Sequence, residues 1–317
     1  MFKWKKLGQV FDLSQHSNND WMEEQAQNPF VLEFKDFIRV YFNTREKKDE
    51  KGLSKSLPSF VDLDKDNFSK VLNLPSEKII KHGNTGDFDE FGIMAGAVIK
   101  IKENYNMYYV GWTRKVSVPY DWSIGLAQSI DGVNFKRLNK GPIISNTNKE
   151  PFLQAGCSSI FKENGIYSLF YTSGIKWIEN GDEKPESMYQ IMQATSIDGV
   201  HWERNSEPII SSIVDNESQA SPSVIKNNGV WHMVFSYRYS VDFRNKERGY
   251  RLGYATSNDL KTWKRNDGFL NISVSEKGWD SEMVCYPHIT KINNKVYLFY
   301  CGNDFGRYGF GVAELIE

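Results

Sequence analysis

The sequence predicts an all-β protein, a five-bladed β-propeller built from four-stranded antiparallel blades. A Ser-x-Asp turn recurs about every 65 residues, at Ser129, Ser196 and Ser257, and a fixed period of this kind is typical of stacked or circular repeats. Five aromatic-rich strand segments recur at a similar spacing, and they end at Arg45, Arg114, Gly174, Arg238 and Asn303. Together these observations predict five copies of one β-rich unit.

Each repeat predicts four strands, A to D. A second apolar strand and a short polar turn precede each aromatic-rich strand B, as in PSVIKNNG at residues 222–229. Asn and Gly tolerate positive φ, so these turns favour hairpins. Strand C leads into the Ser-x-Asp turn, and strand D follows that turn with a Phe/Trp-x-Arg/Lys pattern. Five units of four antiparallel strands are the composition of a five-bladed propeller.

The two ends of the chain predict how the ring closes. Residues 309–315, GFGVAEL, match strand C, and no strand D follows them. Residues 2–11, FKWKKLGQVF, are similar to the missing strand D, so we expect this N-terminal strand to complete the fifth blade and cover its open edge. The alternative is a disordered start whose Trp/Lys spacing is a coincidence. The repeats occupy nearly the whole sequence, which predicts a single domain over residues 1–317.

Composition narrows the functional classes. The formal net charge is −1, which gives no sign of electrostatic nucleic-acid binding. The start lacks the apolar stretch of a signal peptide, and no apolar run is long enough to span a membrane. The three cysteines, Cys157, Cys285 and Cys301, lack metal-type spacing. We therefore expect a cytoplasmic protein with reduced cysteines, without a cofactor, a metal or a nucleic-acid partner.

Long loops predict which face carries the site. The B–C loops, such as residues 175–188 and 239–250, and the D–A connections are long and polar, and both emerge on the same face of a four-stranded blade. Insertions on one face of a repeat ring commonly mark the binding face. The acids in these connections that are best placed to act are Asp89, Glu217, Asp280 and Glu282. Paired carboxylates are the catalytic groups of glycoside hydrolysis, although each acid alone could be a solvated loop charge or a cap.

Other side chains predicted at this face would bind the substrate. Arg45, Arg114 and Arg238 end three B strands, and guanidinium groups suit an anionic ligand; their alternative role is to pair with the loop acids. Aromatic side chains could stack on a sugar ring or pack between blades. The full predicted binding set is Asn28, Arg45, Trp112, Arg114, Trp177, Arg238, Tyr286, His288 and Asn303.

The chain resembles the five-bladed propeller glycosidases of glycoside hydrolase families 43 and 32, which include arabinanases, β-xylosidases, invertases and levansucrases. The resemblance rests on the five A/B strand pairs, the Ser-x-Asp turns, the segment at residues 88–93 (FDEFGI) and the segment at residues 279–282 (WDSE). It implies an Asp at the start of the first inner strand, where Asn28 stands here, and a second Asp near Ala95 or Gly96. An amide cannot act as a carboxylate base, so the family mechanism does not carry over unchanged.

Three functional hypotheses follow. The first is a carbohydrate-active enzyme that uses loop carboxylates on a glycosidic bond of an anionic or nucleotide-linked sugar, for example in polysaccharide biosynthesis. The second is a non-catalytic carbohydrate-binding propeller, which Asn28 favours. The third is a propeller that binds peptides over its central mouth, although no residue pattern selects it. A common fold does not by itself decide among them.

Overall fold

The computed structural model describes residues 1–16, 19–181 and 183–317, and its regular structure is almost entirely β-strand. The helical segments of these residues are one 3-10 helix (Leu13–Gln15) and the four-residue helix α1 (Asp267–Leu270), together with the tight turn α2 (Asn303–Gly306), in which Asp304 and Phe305 have positive φ values of 51 and 59°. None of the described helices is long and apolar enough to cross a bilayer. The predicted all-β class is confirmed.

The strands form five groups of four, which we call units one to five. Unit one contains β2 (Glu24–Glu33), β3 (Phe37–Arg45), β4 (Ser56–Asp64) and β5 (Val71–Asn73). Unit two contains β6 (Gly92–Ile101), β7 (Asn104–Thr113), β8 (Asp121–Ser129) and β9 (Lys136–Arg137). Unit three contains β10 (Gln154–Glu163), β11 (Ile166–Asn180), β12 (Glu183–Ser196) and β13 (Glu203–Arg204). Unit four contains β14 (Glu217–Asn227), β15 (Val230–Tyr239), β16 (Arg251–Ser257) and β17 (Lys264–Arg265). Unit five contains β18 (Cys285–Ile292), β19 (Lys295–Cys301), β20 (Phe310–Leu315) and, from the start of the chain, β1 (Trp4–Phe11).

Neighbouring strands within every unit pair antiparallel. Units one and two share one eight-stranded sheet through a single parallel pairing of Ser56 with Gly92. In unit five, β1 pairs with β20, and Trp4 lies opposite Leu315. The N-terminal strand is therefore the outer strand of the last sheet.

The inner strands β2, β6, β10, β14 and β18 contact one another in that order, and β18 returns to contact β2. This cyclic order, with each sheet extending outward from its inner strand, is an arrangement of the propeller type. A closed ring of five blades stays a prediction that this order supports.

Two of the three Ser-x-Asp turns, those at Ser129 and Ser196, join neighbouring units through a tyrosine. The Ser129 hydroxyl accepts the backbone N–H of Gly132 at 3.0 Å, and the Gly132 carbonyl accepts the Tyr41 hydroxyl of unit one at 2.6 Å. The same contact recurs one unit later, where Tyr108 donates to the Gly199 carbonyl at 2.8 Å. Tyr41 and Tyr108 are fully buried between the sheets. The repeated motif is therefore a structural joint.

One predicted loop is a pair of strands instead. The sequence predicts a polar loop over residues 175–188, but β11 runs to Asn180 and β12 begins at Glu183, with Trp177 opposite Ser187. We call residues 175–180 and 183–187 the ribbon. Pairing between the two strands satisfies the backbone N–H and C=O groups of this segment. The polar composition of the segment does not by itself distinguish such a strand pair from a loop.

Candidate functional site

The inner strands surround one cavity of about 370 Å³. All five contribute residues, namely Gln25, Gln27, Asn28, Pro29, Phe30, Met94, Ala95, Gly96, Ala155, Gly156, Ser158, Ala220, Ser221, Tyr286 and Pro287. The wall is completed by residues of the second and third strands and their connections, among them Arg45, Tyr120, Trp122, Thr172, Tyr189, Arg238, Phe243, Arg244 and Tyr250. No aspartate or glutamate of the described residues lines the cavity.

Irregular backbone at the start of the inner strands shapes this cavity. Asn28, Gly156, Ser221 and Tyr286 have positive φ values of 53, 58, 50 and 53°, and a register shift accompanies each of them. A Cβ on Gly156 would lie 2.7 Å from Thr172 Oγ1, so glycine is favoured there for space, and its positive φ carries no strain. Non-glycine residues in this conformation are strained, and such strain clusters at functional sites.

Arg238 is a buried arginine without a carboxylate partner among the described residues. Its Nη1 donates to the Tyr239 carbonyl at 2.7 Å and its Nη2 to the Tyr189 hydroxyl at 2.9 Å. Its Nε has no hydrogen-bond partner in the described chain, and its guanidinium carbon lies 3.5 Å from the centre of the Phe243 ring. Because arginine stays charged in proteins, the cavity wall holds a buried positive charge whose Nε is enclosed and has no hydrogen-bond partner in the described chain.

Two further guanidinium groups reach the cavity. Arg45 donates to Gln25 at 3.2 Å, and burial lowers the pKa of Arg45 while the nearby Glu24 opposes that shift. Arg244, on the connection after β15, donates from Nη1 to Glu186 Oε1 at 2.6 Å. Three guanidinium groups therefore line the cavity, and that of Arg244 is paired with Glu186.

Aromatic side chains form much of the remaining wall. Tyr120 and Trp122 stack with their ring centres 4.4 Å apart, and Trp177 of the ribbon packs on Tyr120 at 5.6 Å. The hydroxyls of Tyr189 and Tyr250 lie 2.6 Å apart. Burial, together with Tyr189, raises the pKa of Tyr250 well above its ordinary value, so this phenol stays neutral. A cavity with aromatic walls and a few polar groups suits a sugar-sized ligand.

Buried ion pairs hold three of the four acids that the sequence predicts as catalytic. In units two to five, an acid at or just before the inner strand pairs with a cation on the outer strand of the same unit. The pairs are Asp89–Arg137, Glu150–Arg204, Glu217–Arg265 and Asp280–Lys6, with N–O distances of 2.7, 3.3, 2.6 and 2.7 Å. These four acids are at most 3% exposed.

Tyrosines of the second strand reinforce three of these pairs. Tyr109 donates to Asp89 at 3.0 Å, Tyr171 to Glu150 at 2.9 Å and Tyr300 to Asp280 at 3.0 Å. Burial, and then the facing carboxylate, raises the pKa of each tyrosine, which keeps the phenol protonated as a donor. A contact repeated in four units indicates a structural role, since a reaction needs its catalytic acid at one place.

The fourth predicted acid, Glu282, is exposed to solvent. Its backbone N–H donates to Asn303 Oδ1 at 2.7 Å, so Asn303 braces the connection before β18. Asp89, Glu217, Asp280 and Glu282 all lie outside the cavity lining. Their catalytic role stays a prediction that this placement does not favour.

The structure divides the predicted binding residues into two groups. Asn28, Arg45, Arg238 and Tyr286 line the cavity, whereas Trp112, Arg114, Trp177, His288 and Asn303 do not. Asn28 Oδ1 accepts the Ser221 hydroxyl at 2.8 Å. Trp112 donates to Ser56 at 2.6 Å, and Arg114 lies 4.2 Å from the centre of the Phe91 ring. For these arginines the sequence also allows a second role, pairing with acids of the long loops. Within the described residues no salt bridge involves Arg45, Arg114 or Arg238.

His288 lies on β18, and its ring centre is 4.4 Å from that of Phe30, a cavity residue. Its Nδ1 has no partner among the described residues. Burial lowers the pKa of His288 to about 4, so the imidazole is neutral at physiological pH.

Sequence reasoning missed Thr172, Tyr189, Tyr250, Arg244 and Glu186. Arg244 lies in the long B–C loop at residues 239–250, and this position on the predicted binding face could have identified it. Glu186 lies on the ribbon, whose strand pairing the sequence did not predict. Within residues 1–16, 19–181 and 183–317, no cluster of three or more His, Cys, Asp or Glu side chains could hold a metal.

The fold and the cavity together define a propeller of the glycosidase type. Residues 94–308 match the family described as Glycosyl hydrolases family 32 N-terminal domain, and the chain belongs to this family. The resemblance to propeller glycosidases is therefore confirmed.

Three similar proteins extend this comparison. The uncharacterized protein Rv1502 of Mycobacterium tuberculosis (strain ATCC 25618 / H37Rv) is 32% identical over 98% of this chain and 99% of its own length. The β-1,2-mannobiose phosphorylase of Thermoanaerobacter sp. (strain X514) is 26% identical over 52% of this chain and 53% of its own. The solved structure of a β-1,2-mannobiose phosphorylase from Listeria innocua shares the fold, with a TM-score of 0.70, 15% identity, and coverage of 98% of this chain and 96% of that one. The chain is a glycoside hydrolase-like propeller related to mannoside phosphorylases and glycosidases.

Proposed function

We propose that this protein is a carbohydrate-active enzyme that binds an anion in its cavity and uses phosphate as the reactant that cleaves or forms a glycosidic bond. The observation that carries the proposal is Arg238, a buried cation in the cavity wall whose Nε is unsatisfied and which has no carboxylate partner in the described chain. A buried charge is costly unless it is paired. A bound anion would supply the missing partner.

The absence of acids among the described lining residues favours phosphorolysis over hydrolysis. Hydrolysis by the usual glycosidase routes needs two carboxylates on either side of the bond. In phosphorolysis a phosphate oxygen attacks the anomeric carbon, so the protein must hold an anion beside the sugar. Three guanidinium groups, those of Arg45, Arg238 and Arg244, suit that task.

A mannoside is the proposed sugar. The sequence relative from Thermoanaerobacter is named for β-1,2-mannobiose, and the aromatic side chains of Tyr120 and Trp122 offer a surface for a pyranose ring. An anionic or nucleotide-linked sugar as donor, a cytoplasmic location and a role in polysaccharide biosynthesis remain parts of this hypothesis. The five-bladed ring closed by β1 is its structural premise, which the pairing of β1 with β20 supports.

The test is phosphate dependence of product formation. The purified protein is incubated with β-1,2-mannobiose with and without inorganic phosphate, and hexose 1-phosphate and free mannose are measured by mass spectrometry. We expect hexose 1-phosphate only when phosphate is present. Arg238→Gln should reduce its formation by about 100-fold or more, the usual effect of losing a charge-stabilising donor.

The matched control is Arg248→Gln. Arg248 lies in the connection that follows the strand of Arg238, but its guanidinium lies 4.1 Å from the Tyr239 ring, and it does not line the cavity. We expect this variant to keep its activity. Equal release of free mannose with and without phosphate would contradict phosphorolysis.

The second candidate is a non-catalytic carbohydrate-binding propeller. The lack of acids among the described lining residues, together with Asn28 in place of an aspartate, favours it specifically. It predicts binding of phosphate or a sugar phosphate by calorimetry, weakened in Arg238→Gln, with no product in either reaction mixture.

A further inference from the structure

Among the buried acids of the described chain, Glu186 is the one that forms its ion pair with a residue of another unit, and that partner is exposed to solvent. The described residues contain six buried acids: Asp62, Asp89, Glu150, Glu186, Glu217 and Asp280. Five of them pair with a cation of their own unit, Asp62 with Arg39 and the others as described above. Glu186 is on β12 of unit three, and its partner Arg244 follows β15 of unit four with a side chain that is 62% exposed.

Arg244 also lies beside the proposed anion site. Its guanidinium carbon is 4.3 Å from the centre of the Phe243 ring, and that of Arg238 is 3.5 Å from the same centre. The two carbons are therefore at most 7.8 Å apart, the sum of those two distances. Glu186 is the hydrogen-bond partner of Arg244 within the described residues. An anion bound at Arg238 would compete with Glu186 for Arg244.

We infer that anion binding transfers Arg244 from Glu186 to the ligand, and that Glu186 then takes up a proton from solvent. This inference rests on the proposed function. A buried carboxylate without a cation favours its neutral form, because desolvation penalises the charge. Two charged or titratable groups of the described residues interact with Glu186, namely Arg244 and Tyr120. Burial raises the pKa of Tyr120 to about 12, so the tyrosine does not exchange a proton near neutral pH.

A neutral carboxyl group beside the cavity fits the chemistry of phosphorolysis. A phosphate oxygen forms a bond to the anomeric carbon while the bond from that carbon to the leaving oxygen breaks. The electron pair of the broken bond goes to the leaving oxygen, which must receive a proton. While the anion is bound, Glu186 would hold the proton that the leaving oxygen receives.

The test is calorimetric titration with sulfate in two buffers of different ionisation enthalpy. Sulfate resembles phosphate in shape but does not titrate near neutral pH, so any proton exchanged comes from the protein. We expect the protein to take up as much as about one proton per bound sulfate. Glu186→Gln should still bind sulfate, and its heat should be the same in both buffers after correction.

Two variants complete the experiment. Arg244→Gln leaves Glu186 without its cation before sulfate arrives, so we expect proton uptake on binding to be lost in this variant as well. Glu183→Gln changes an exposed acid of the same ribbon and should retain the uptake. Unchanged proton uptake in Glu186→Gln, or sulfate binding without any uptake in the unmodified protein, overturns the inference while the anion site stands. Absence of sulfate binding removes the anion site and the inference together.

Discussion

Lys6 on the N-terminal strand neutralises the buried carboxylate of Asp280, and its replacement by Met tests the role of the repeated ion pairs. Lys6 Nζ lies 2.7 Å from Asp280 Oδ2 and also donates to Ser275 Oγ at 3.0 Å. Asp280 has a side chain that is 4% exposed, whereas that of Lys6 is 28% exposed. Removing one partner of a buried pair costs about 3–5 kcal/mol. Because water reaches Lys6, we expect about 2–3 kcal/mol for Lys6→Met.

This free energy converts into a measurable shift of the melting temperature. Unfolding entropy is about 2.1 cal/mol/K per residue, or about 0.7 kcal/mol/K for a chain of this length. Lys6→Met should therefore lower Tm by about 3–5 °C. Thermal and urea unfolding, followed by the fluorescence of the nine tryptophans, measure the change.

The matched control is Lys3→Met. Lys3 pairs with Glu317 at 3.1 Å, and both side chains are more than half exposed. An exposed pair contributes little, so we expect no measurable loss of stability. A Lys6→Met protein that melts within the error of the unmodified protein would refute the structural role of the pair.

The double variant Lys6→Met/Asp280→Asn separates a structural role from a catalytic one. If the pair is structural, removing both charges should recover part of the stability lost in Lys6→Met, since no unpaired carboxylate remains. Activity should then follow the amount of folded protein. Complete loss of activity in a stable Asp280→Asn protein would instead support the catalytic assignment made from the sequence.

Three further predictions concern residues of the inner strands. The native state binds a proton at His288 less tightly than the unfolded state, so stability should fall by about 2–4 kcal/mol as the pH drops from about 6.5 to about 4. Urea unfolding across this range should show a shallower dependence for His288→Asn, and identical profiles would exclude His288 as the cause. Asn28→Asp places a negative charge in the cavity and should weaken sulfate binding about tenfold, ~1.4 kcal/mol, by calorimetry; unchanged affinity would place the anion elsewhere. Gly156→Ala brings a Cβ within 2.7 Å of Thr172 Oγ1 at φ +58°, so we expect a loss of about 1–2 kcal/mol in thermal unfolding. An unchanged midpoint would mean that the backbone there adapts without cost.

Much of the all-β architecture could be predicted from the sequence, because the turns of the repeats are closed by hydrogen bonds between residues that are close together in the chain. The hydroxyl of Ser129 and the carboxylate of Asp131 organise their turn through contacts within a few residues, so a local pattern was sufficient. The N-terminal strand was predicted over residues 2–11 and is observed over Trp4–Phe11. Its similarity to the strand D pattern has a structural reason, because Lys6 contacts an acid of unit five in the same way that Arg137 contacts an acid of unit two.

The roles of the acids could not be read in the same way. Asp89 and Glu217 have acidic side chains in long connections, which is equally expected of a catalytic group and of one half of a salt bridge. Their partners, Arg137 and Arg265, are 48 residues away in each case. Only the folded sheet brings the outer strand back to the start of the inner strand.

The amino-acid sequence by itself determined the repeat, the strand pairing within most units and the family, because those features depend on local periodicity and on turns closed by neighbouring residues. Only the tertiary structure decided which charged side chains have a partner. In units two to five, an acid at or just before the inner strand pairs with a cation of the outer strand. Arg238 is buried with an unsatisfied Nε, and Glu186 of unit three pairs with Arg244, which follows the second strand of unit four. Pairing of this kind depends on distances between residues far apart in the chain, which only the packed sheets define.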